Sequence, residues 1–249
     1  MLEIALTLAV FIGVLMGLLG GGGSILLVPV LLYVLKLEPK SALATSQLVM
    51  MATSVVAMAV HARGGRVVFS IGALFGLSAM AGAYLGGRLA AHVPAQALLL
   101  GFVSLMFISA VQMLRKRNKD ETTAAQLAGI PWRAVAVGFP TGLVAGLLGA
   151  GGGFLIVPAL VLYAQLPMAQ AVGTSLLVIT MQSLAGALGY LGHASIDLHR
   201  VAQLSALMAL GSIVGGLLSN HVPAARLRKL FAGLLLLVAC FMLLRSVLG

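Results

Sequence analysis

Long stretches without a charged residue constrain this chain more than any other feature. Residues 67–87 and 95–114 contain no Asp, Glu, Lys or Arg, and each is long enough to cross ~30 Å of hydrocarbon as a helix. Over the whole chain 8% of residues are charged, whereas a soluble domain averages about a quarter. Because so few polar side chains cannot cover a water-facing surface, the sequence excludes a soluble globular protein and predicts an all-α polytopic membrane protein.

The excess of basic residues fits the same class. The net charge is +10, from 15 Lys and Arg against 5 Asp and Glu. A nucleic-acid-binding protein gathers basic residues on one solvated face, but here they lie at the ends of apolar runs, as the positive-inside rule describes. We therefore expect a lipid bilayer, and no nucleic acid, as a partner. The single cysteine, Cys240, excludes a disulfide framework.

The sequence repeats itself after 129 residues. The stretch from Gly13 to Pro29 returns as Gly142 to Pro158, and the same shift places Thr45-Ser46 on Thr174-Ser175 without a gap. About a third of residues 13–116 are identical to their partners, against roughly a tenth by chance for so biased a composition. The chain is therefore predicted to contain two copies of one structural unit.

Each copy contains five apolar segments, which in the first copy cover residues 4–19, 24–36, 42–60, 67–90 and 95–114. The second segment would reach only about 20 Å as a helix and is interrupted by Pro29, so we predict a glycine-broken half-helix there. The hydrophilic stretch 116–131 is predicted to be a cytoplasmic linker between a first membrane repeat, 1–115, and a second, 132–249.

Two topologies compete. If each glycine cluster separates two segments that go in and back, the halves are inverted, and loops 61–66, 115–133 and 219–229 share one side with about ten Lys and Arg, against about five on the other. If segments 4–36 form one broken helix, the chain has eight spans with parallel halves, and the split is roughly nine to six. The larger split favours inverted repeats with the linker cytoplasmic and both termini outside.

Two glycine clusters are the strongest candidates for a functional site. Consecutive glycines destabilise a helix by roughly 1 kcal/mol each against alanine, and irregular backbone inside a membrane is tolerated only where protein or a wet cavity satisfies it. Each cluster opens a half-helix whose N–H groups and positive dipole end suit an anion, and we expect the two ends to face one central cavity. The predicted substrate-binding residues here are Gly21, Gly22, Gly23, Ser24, Gly151, Gly152 and Gly153.

A second set of glycines is assigned to helix packing. Small residues let membrane helices approach each other closely, and these glycines occur at helical spacing in the fourth segment of each half. The set comprises Gly82, Gly86, Gly87, Gly211, Gly215 and Gly216.

The third segment of each half supplies polar side chains. Hydroxyl and amide groups can donate hydrogen bonds to an anion without adding a charge that would trap it. They can also bond a carbonyl of their own or a neighbouring helix, and both roles stay open. The residues predicted to line the site are Thr45, Ser46, Gln47, Thr174, Ser175 and Gln182.

Neither an enzyme nor a metal site is predicted. Ser46 and His61 lie about four turns apart on one helix and cannot form a nucleophile–base pair locally. The loop 193–199 holds two histidines but one carboxylate, without a counterpart in the first half. His61 and Tyr190 occupy equivalent positions before loops and could gate or titrate, although a residue at an interface needs no function. No cofactor is expected.

The glycine clusters followed by Pro29 and Pro158, the Ala-Val-Gly-Thr-Ser motif ending at Ser175 and the loop His61–Val67 resemble the TauE/SafE family of sulfite exporters, also called TSUP. The resemblance covers nearly the whole chain. It implies transport of sulfite, sulfoacetate or other organosulfonates across the bacterial inner membrane. The family's glycine-rich motif falls on Gly20–Pro29 and Gly149–Pro158, and its Thr-Ser motif on Thr45-Ser46 and Thr174-Ser175.

The residues and the resemblance together predict a multi-pass secondary transporter with alternating access. No nucleotide-binding motif is present in the sequence, so an ion gradient or the gradient of the substrate itself must supply the energy. The expected partners are a small anion, the bilayer, a coupling ion such as H⁺ or Na⁺, and further copies of the chain in a homo-oligomer. An anion channel and a non-transporting membrane subunit are the alternatives.

Overall fold

The structure is a computed structural model of the chain, and it describes residues 2–90, 92–115, 131–148, 152–190 and 194–248. The described residues form helices joined by short loops and contain no β-strand. Of the predicted linker 116–131, residues 116–130 lie outside the described residues, and Pro131 is the first residue of a helix.

In the described part of the chain, five α-helices precede the linker and five follow it. The first half contains α1 Leu2–Leu19, α2 Ser24–Pro29, α3 Pro39–Arg63, α4 Phe69–Leu89 and α5 Ala95–Arg115. The second half contains α6 Pro131–Leu148, α7 Gly153–Leu162, α8 Met168–Tyr190, α9 Leu198–Leu218 and α10 Ala224–Leu248. Helices α3, α4, α8, α9 and most of α10 are long and apolar enough to cross a membrane. The predicted class, an all-α polytopic membrane protein, is confirmed.

The second helix of each half is short, as predicted. A 3₁₀ turn, Gly20–Gly22, separates α1 from α2, and α2 ends at Pro29, after which the chain continues as a π-helix, Val30–Val34. Proline has no N–H group and its ring crowds the carbonyl four residues earlier, so regular α-helical bonding cannot continue through it. Helix α7 contains Pro158 within its ten residues.

Helix α4 packs along α6, and α9 packs along α1, through glycines. A β-carbon built on Gly82 or Gly86 would overlap the backbone of α6, and one built on Gly211 or Gly215 would overlap the backbone of α1. On Gly87 and Gly216 it would lie within 2.9 Å of an atom in a neighbouring helix. The predicted packing role of these glycines is confirmed, because any side chain would force the helices apart.

These contacts also fix the relative direction of the paired helices. Gly82 lies against Phe139 and Gly86 against Leu143, so residue numbers rise together and α4 runs parallel to α6. The corresponding contacts of α9 join Gly211 to Val10 and Gly215 to Val14, so α9 runs parallel to α1. Each half therefore packs its fourth helix against the first helix of the other half.

Helices α3 and α8 pack against each other at the centre of the molecule. In its most apolar stretch α8 is 72% buried, against 39% for α4 and for α9. The third helix of each half carries the polar side chains that the sequence assigns to the site. The fold therefore places those side chains inside the protein rather than against lipid.

Candidate functional site

The first glycine cluster interrupts the chain between α1 and α2. Gly20 has a φ of +65°, in the left-handed region that glycine adopts without strain, and the single 3₁₀ turn follows it. Gly23 returns to the right-handed helical region, with φ −66° and ψ −29°. The buried Ser24 hydroxyl donates a hydrogen bond of 2.6 Å to the Gly21 carbonyl. Ser24 therefore satisfies a carbonyl that the break releases from regular bonding.

The second glycine cluster breaks the chain at the start of α7. Gly152 has a φ of +60° and is the N-cap residue of α7, where its carbonyl accepts from the Leu155 N–H over 2.9 Å. Among the described residues no N-cap side chain bonds this end of α7, and the first N–H groups of an α-helix have no acceptor within the helix. Gly151, one of the predicted site residues, lies outside the described residues.

The two breaks touch each other. A β-carbon built on Gly21 would overlap the Gly153 Cα, and one built on Gly153 would overlap the Gly21 Cα. Two backbones can approach this closely only because neither residue has a side chain. The structure thus brings the two clusters together as expected, but at these two residues it holds them in direct contact instead of on opposite walls of a cavity.

Ser175 faces the first break from α8. Its Oγ lies 2.7 Å from the position that a β-carbon of Gly20 would take. The same hydroxyl donates to the Val172 carbonyl over 2.8 Å, and the repeat-equivalent Ser46 donates to the Leu43 carbonyl over 2.7 Å. Each serine hydroxyl must break its hydrogen bond to the carbonyl three residues earlier before it can donate to an anion.

Gln47 lies beside the end of α6, and Gln182 lies beside the second break. Gln47 is 1% exposed. Its side-chain amide donates to the Ala145 carbonyl over 3.4 Å, and its Oε1 has no hydrogen-bond partner among the described residues. A β-carbon on Gly152 would overlap both Gln182 Nε2 and Ala145 Cβ. The two amides come from positions that are not repeat-equivalent. The repeat alone therefore does not predict these polar side chains near the second break.

The two predicted threonines have different surroundings. The Val68 N–H donates to Thr174 Oγ1 over 3.0 Å, and Val68 is the N-cap residue of α4. Thr174 therefore satisfies a backbone N–H at the start of α4, a role that the sequence did not predict. Thr45 lies near the start of α9 instead, where Asp197 caps that helix with its own carboxylate.

A cleft with a volume of about 380 Å³ opens where α2 ends and α9 begins. Its walls carry Lys36 and Glu38 from the first half, Asp197 and Arg200 from the second, and the hydroxyl-bearing Thr45. Asp197 and Arg200 form an ion pair of 3.0 Å. Sequence reasoning missed this cleft. The available signal was the acidic residue before α9, which has no acidic counterpart in the first half.

His61 and Tyr190, which are repeat-equivalent, make similar hydrogen bonds beside the two breaks. His61 Nε2 lies 2.8 Å from the Gly17 carbonyl, in the last turn of α1. The Tyr190 hydroxyl donates over 2.9 Å to the Leu147 carbonyl, in the last turn of α6. The carbonyls of a last helical turn have no intrahelical donor, so these side chains complete the ends of the two helices that the breaks interrupt.

Arg66 connects two loops at one end of the molecule. It lies between α3 and α4, and its Nη1 donates to Ser219 Oγ over 2.6 Å. Ser219 begins the 3₁₀ turn Ser219–His221 that joins α9 to α10. Burial lowers the pKa of the Arg66 guanidinium from its ordinary value, although an arginine stays protonated in proteins.

Comparison with known proteins gives consistent matches along the chain. Residues 5–242 match the family described as "Sulfite exporter TauE/SafE". A "Probable membrane transporter protein" of Xylella fastidiosa (strain 9a5c) is 33% identical over 243 residues, which cover 94% of this chain and 92% of that protein. The "Probable membrane transporter protein YdhB" of Bacillus subtilis (strain 168) is 28% identical over 236 residues, 91% of this chain and 96% of the relative. No solved structure matches the chain significantly.

The helical membrane fold and these matches define a multi-pass membrane transporter. The chain belongs to the TauE/SafE sulfite exporter family, so the family resemblance found in the sequence is confirmed. Membership of a transporter family implies transport rather than catalysis.

Proposed function

We propose that the protein is a secondary transporter of small sulfur-containing anions, such as sulfite, sulfoacetate or other organosulfonates, in the bacterial inner membrane. The observation that carries the proposal is the contact between Gly21 and Gly153, which joins the interrupted helices of both halves at one point. Interrupted helices present N–H groups and positive dipole ends to a substrate inside the membrane. The described carboxylates, Glu3, Glu38 and Asp197, all lie in the first turn of a helix or in a loop, away from this point.

The proposed anion site lies where the two breaks meet. Its donors are backbone N–H groups of both clusters, the neighbouring hydroxyls and the two glutamine amides: Gly21, Gly22, Gly23, Ser24, Ser46, Gln47, Gly152, Gly153, Ser175 and Gln182. Gly151, which lies outside the described residues, is assigned to the same site from the sequence alone. Because Gly21 and Gly153 are in contact, the two halves must separate there before an anion can enter. Such a separation is the kind of movement that alternating access requires. Thr45 and Thr174 are proposed to line the approaches from the two ends.

We also propose that the two halves are inverted repeats. His61, near the end of α3, bonds Gly17, near the end of α1, which supports α3 running parallel to α1. Helix α4 returns after a short loop, and α6 runs parallel to α4, so α6 runs opposite to α1. The Arg66–Ser219 hydrogen bond supports a shared side for the α3–α4 loop and the α9–α10 turn. Because that side is rich in Lys and Arg, we assign it to the cytoplasm.

Two matched cysteines test the inversion. Lys36 and Gln165 are repeat-equivalent, both are exposed, and both have a φ of +52°. In a Cys240→Ser background, Lys36→Cys should react with an impermeant maleimide in intact cells, whereas Gln165→Cys should react only after permeabilisation. Equal reactivity of the two positions in intact cells would contradict the inversion and support parallel halves.

Counterflow in proteoliposomes tests the transport function. Vesicles loaded with unlabelled sulfoacetate or sulfite should take up the labelled anion faster than empty vesicles, without ATP and with saturation. Unlabelled substrate inside the vesicles accelerates uptake only by a carrier whose binding site alternates between the two sides of the membrane. Uptake that rises linearly with concentration and shows no counterflow would indicate an anion channel instead of a transporter. If no anion moved at all, the proposal would be wrong.

A further inference from the structure

His61 has an unsatisfied ring nitrogen inside the protein. The side chain is 2% exposed, and Nε2 lies 2.8 Å from the Gly17 carbonyl. Because a carbonyl can only accept, the ring donates through Nε2, and Nδ1 of the neutral ring is left as an acceptor. Nδ1 is buried and has no hydrogen-bond partner among the described residues. Buried polar atoms in proteins are nearly always satisfied, so this nitrogen requires an explanation.

The ring lies beside the first break. Gly17 is three residues before Gly20, where the chain leaves the helical region. Helix α9 lies close to the same nitrogen, since a β-carbon built on Gly216 would lie 3.7 Å from His61 Nε2. The Nε2 edge of the imidazole therefore lies where the end of α1 and α9 come together, and its hydrogen bond holds the last turn before the break.

The charged groups around the ring are basic. Arg66 follows in the α3–α4 loop, where its N–H bonds the His61 carbonyl over 3.1 Å, and its positive charge acts on the ring. Arg63 on the same helix and His221 in the turn after α9 are exposed. The only described carboxylate of α1 is Glu3, at the end of the helix opposite to Gly17. Among the described residues, no carboxylate is therefore available to pair with a positive charge on His61.

The second half completes the corresponding helix end without a histidine, through an acceptor one residue further along the repeat. Tyr190 occupies the repeat-equivalent position and donates to the Leu147 carbonyl. A tyrosine does not change charge at the pH values at which a histidine does. Completing the helix end therefore does not require a histidine, and the property that distinguishes His61 from Tyr190 is its ability to bind a proton at Nδ1.

We propose that His61 is the proton-binding site that couples anion transport to proton movement, an inference that rests on the proposed transport function. Nδ1 takes up one proton from water together with an anion bound at the adjacent break, and it returns that proton to water when the anion leaves on the other side. The negative charge of the anion offsets the positive charge on the ring, which no protein carboxylate among the described residues does. The Nε2 hydrogen bond to Gly17 persists in both protonation states.

Proton movement can be measured directly in proteoliposomes that contain a trapped pH-sensitive dye. Sulfoacetate is the probe, because both of its acidic groups stay ionised above about pH 6. For the unaltered protein, an inward sulfoacetate gradient should acidify the vesicle interior by about one proton per anion, and uptake should increase several-fold from about pH 8 to about pH 6. His61→Gln, whose amide can still donate to Gly17, should abolish the acidification and the pH dependence.

Two further variants complete the experiment. His221→Gln removes an exposed histidine at the same end of the molecule and should leave acidification intact. His61→Tyr introduces the residue found at the equivalent position of the second half, and it replaces His61→Gln in the experiment if that variant folds poorly. Acidification that persists in a folded His61 variant would overturn this inference, as would sulfoacetate uptake without acidification by the unaltered protein. If the unaltered protein moved no anion, the proposed transport function would itself be wrong, and this inference with it.

Discussion

The glycines along α4 and α9 and the glycines of the two breaks contact their neighbours in different ways. Gly82 and Gly86 are helical, and their missing side chains let two backbones pack along their length. Gly20 and Gly152 have positive φ values, and polar atoms of Ser175 and Gln182 lie where their β-carbons would be. The first group stabilises the contact between the two halves. The second group lies next to polar side chains in the interior of that contact. Substitutions should therefore separate folding from binding.

The largest expected effect belongs to a packing glycine. Gly86→Ala places a methyl group on the Leu143 carbonyl of α6, and overpacking of this kind destabilises a protein by about 1–3 kcal/mol or more. Gly233→Ala is the matched control, because no atom of the described residues lies within 4 Å of its β-carbon position in α10. The unfolding temperature and the folded yield in detergent should fall for Gly86→Ala and should not fall for Gly233→Ala, where alanine favours the helix more than glycine does. Equal stability of the two variants would contradict the assigned packing role.

Substitution of a glycine in the first break should weaken binding as well as destabilise the fold. Gly20→Ala forces alanine into the left-handed region, which is unfavourable by about 1–2 kcal/mol, and brings a methyl group to 2.7 Å from Ser175 Oγ. We expect sulfoacetate affinity to fall at least about tenfold, or ~1.4 kcal/mol. Gly65→Ala is the control, since Gly65 has a φ of +67° but open space around it. A ligand-induced thermal shift that survives in Gly20→Ala would remove the first break from the site.

The smallest effect distinguishes the two threonines. Thr174→Val removes the acceptor for the Val68 N–H at the start of α4, and loss of one hydrogen bond typically destabilises by about 0.5–1.5 kcal/mol. Thr45→Val should not destabilise α9 in this way, because Asp197 caps that helix itself. Thermal unfolding should therefore shift down for Thr174→Val and not for Thr45→Val. The opposite order would show that the hydrogen bond from Val68 to Thr174 does not stabilise α4.

The local structure followed from the sequence because it depends on nearby residues. Pro29 and the preceding glycines predicted a short, interrupted second helix, and the structure has it. The glycines spaced by four in the fourth segment predicted close packing, and Gly82 and Gly86 show it. In each case the chemistry of one segment, a missing N–H or a missing side chain, was enough to decide its structure.

The site depended on contacts that no single segment encodes. Gly21 and Gly153 are not repeat-equivalent, so nothing in the repeat indicated that their backbones would touch. Gln47 and Gln182 also occupy different repeat positions, yet Gln47 bonds Ala145 of α6 and Gln182 lies against Gly152 of the second break. Such contacts result from how helices of the two halves cross, and one sequence carries no direct signal of a crossing.

The central claim is that both halves share one anion site where the breaks meet. Equilibrium dialysis of purified protein with labelled sulfoacetate measures this directly, as the number of anions bound per chain. A single anion per chain is expected, and Gln47→Leu in the first half and Gln182→Leu in the second should each weaken its binding about tenfold without changing that number. Two anions per chain, with each substitution removing one of them, would contradict a shared site.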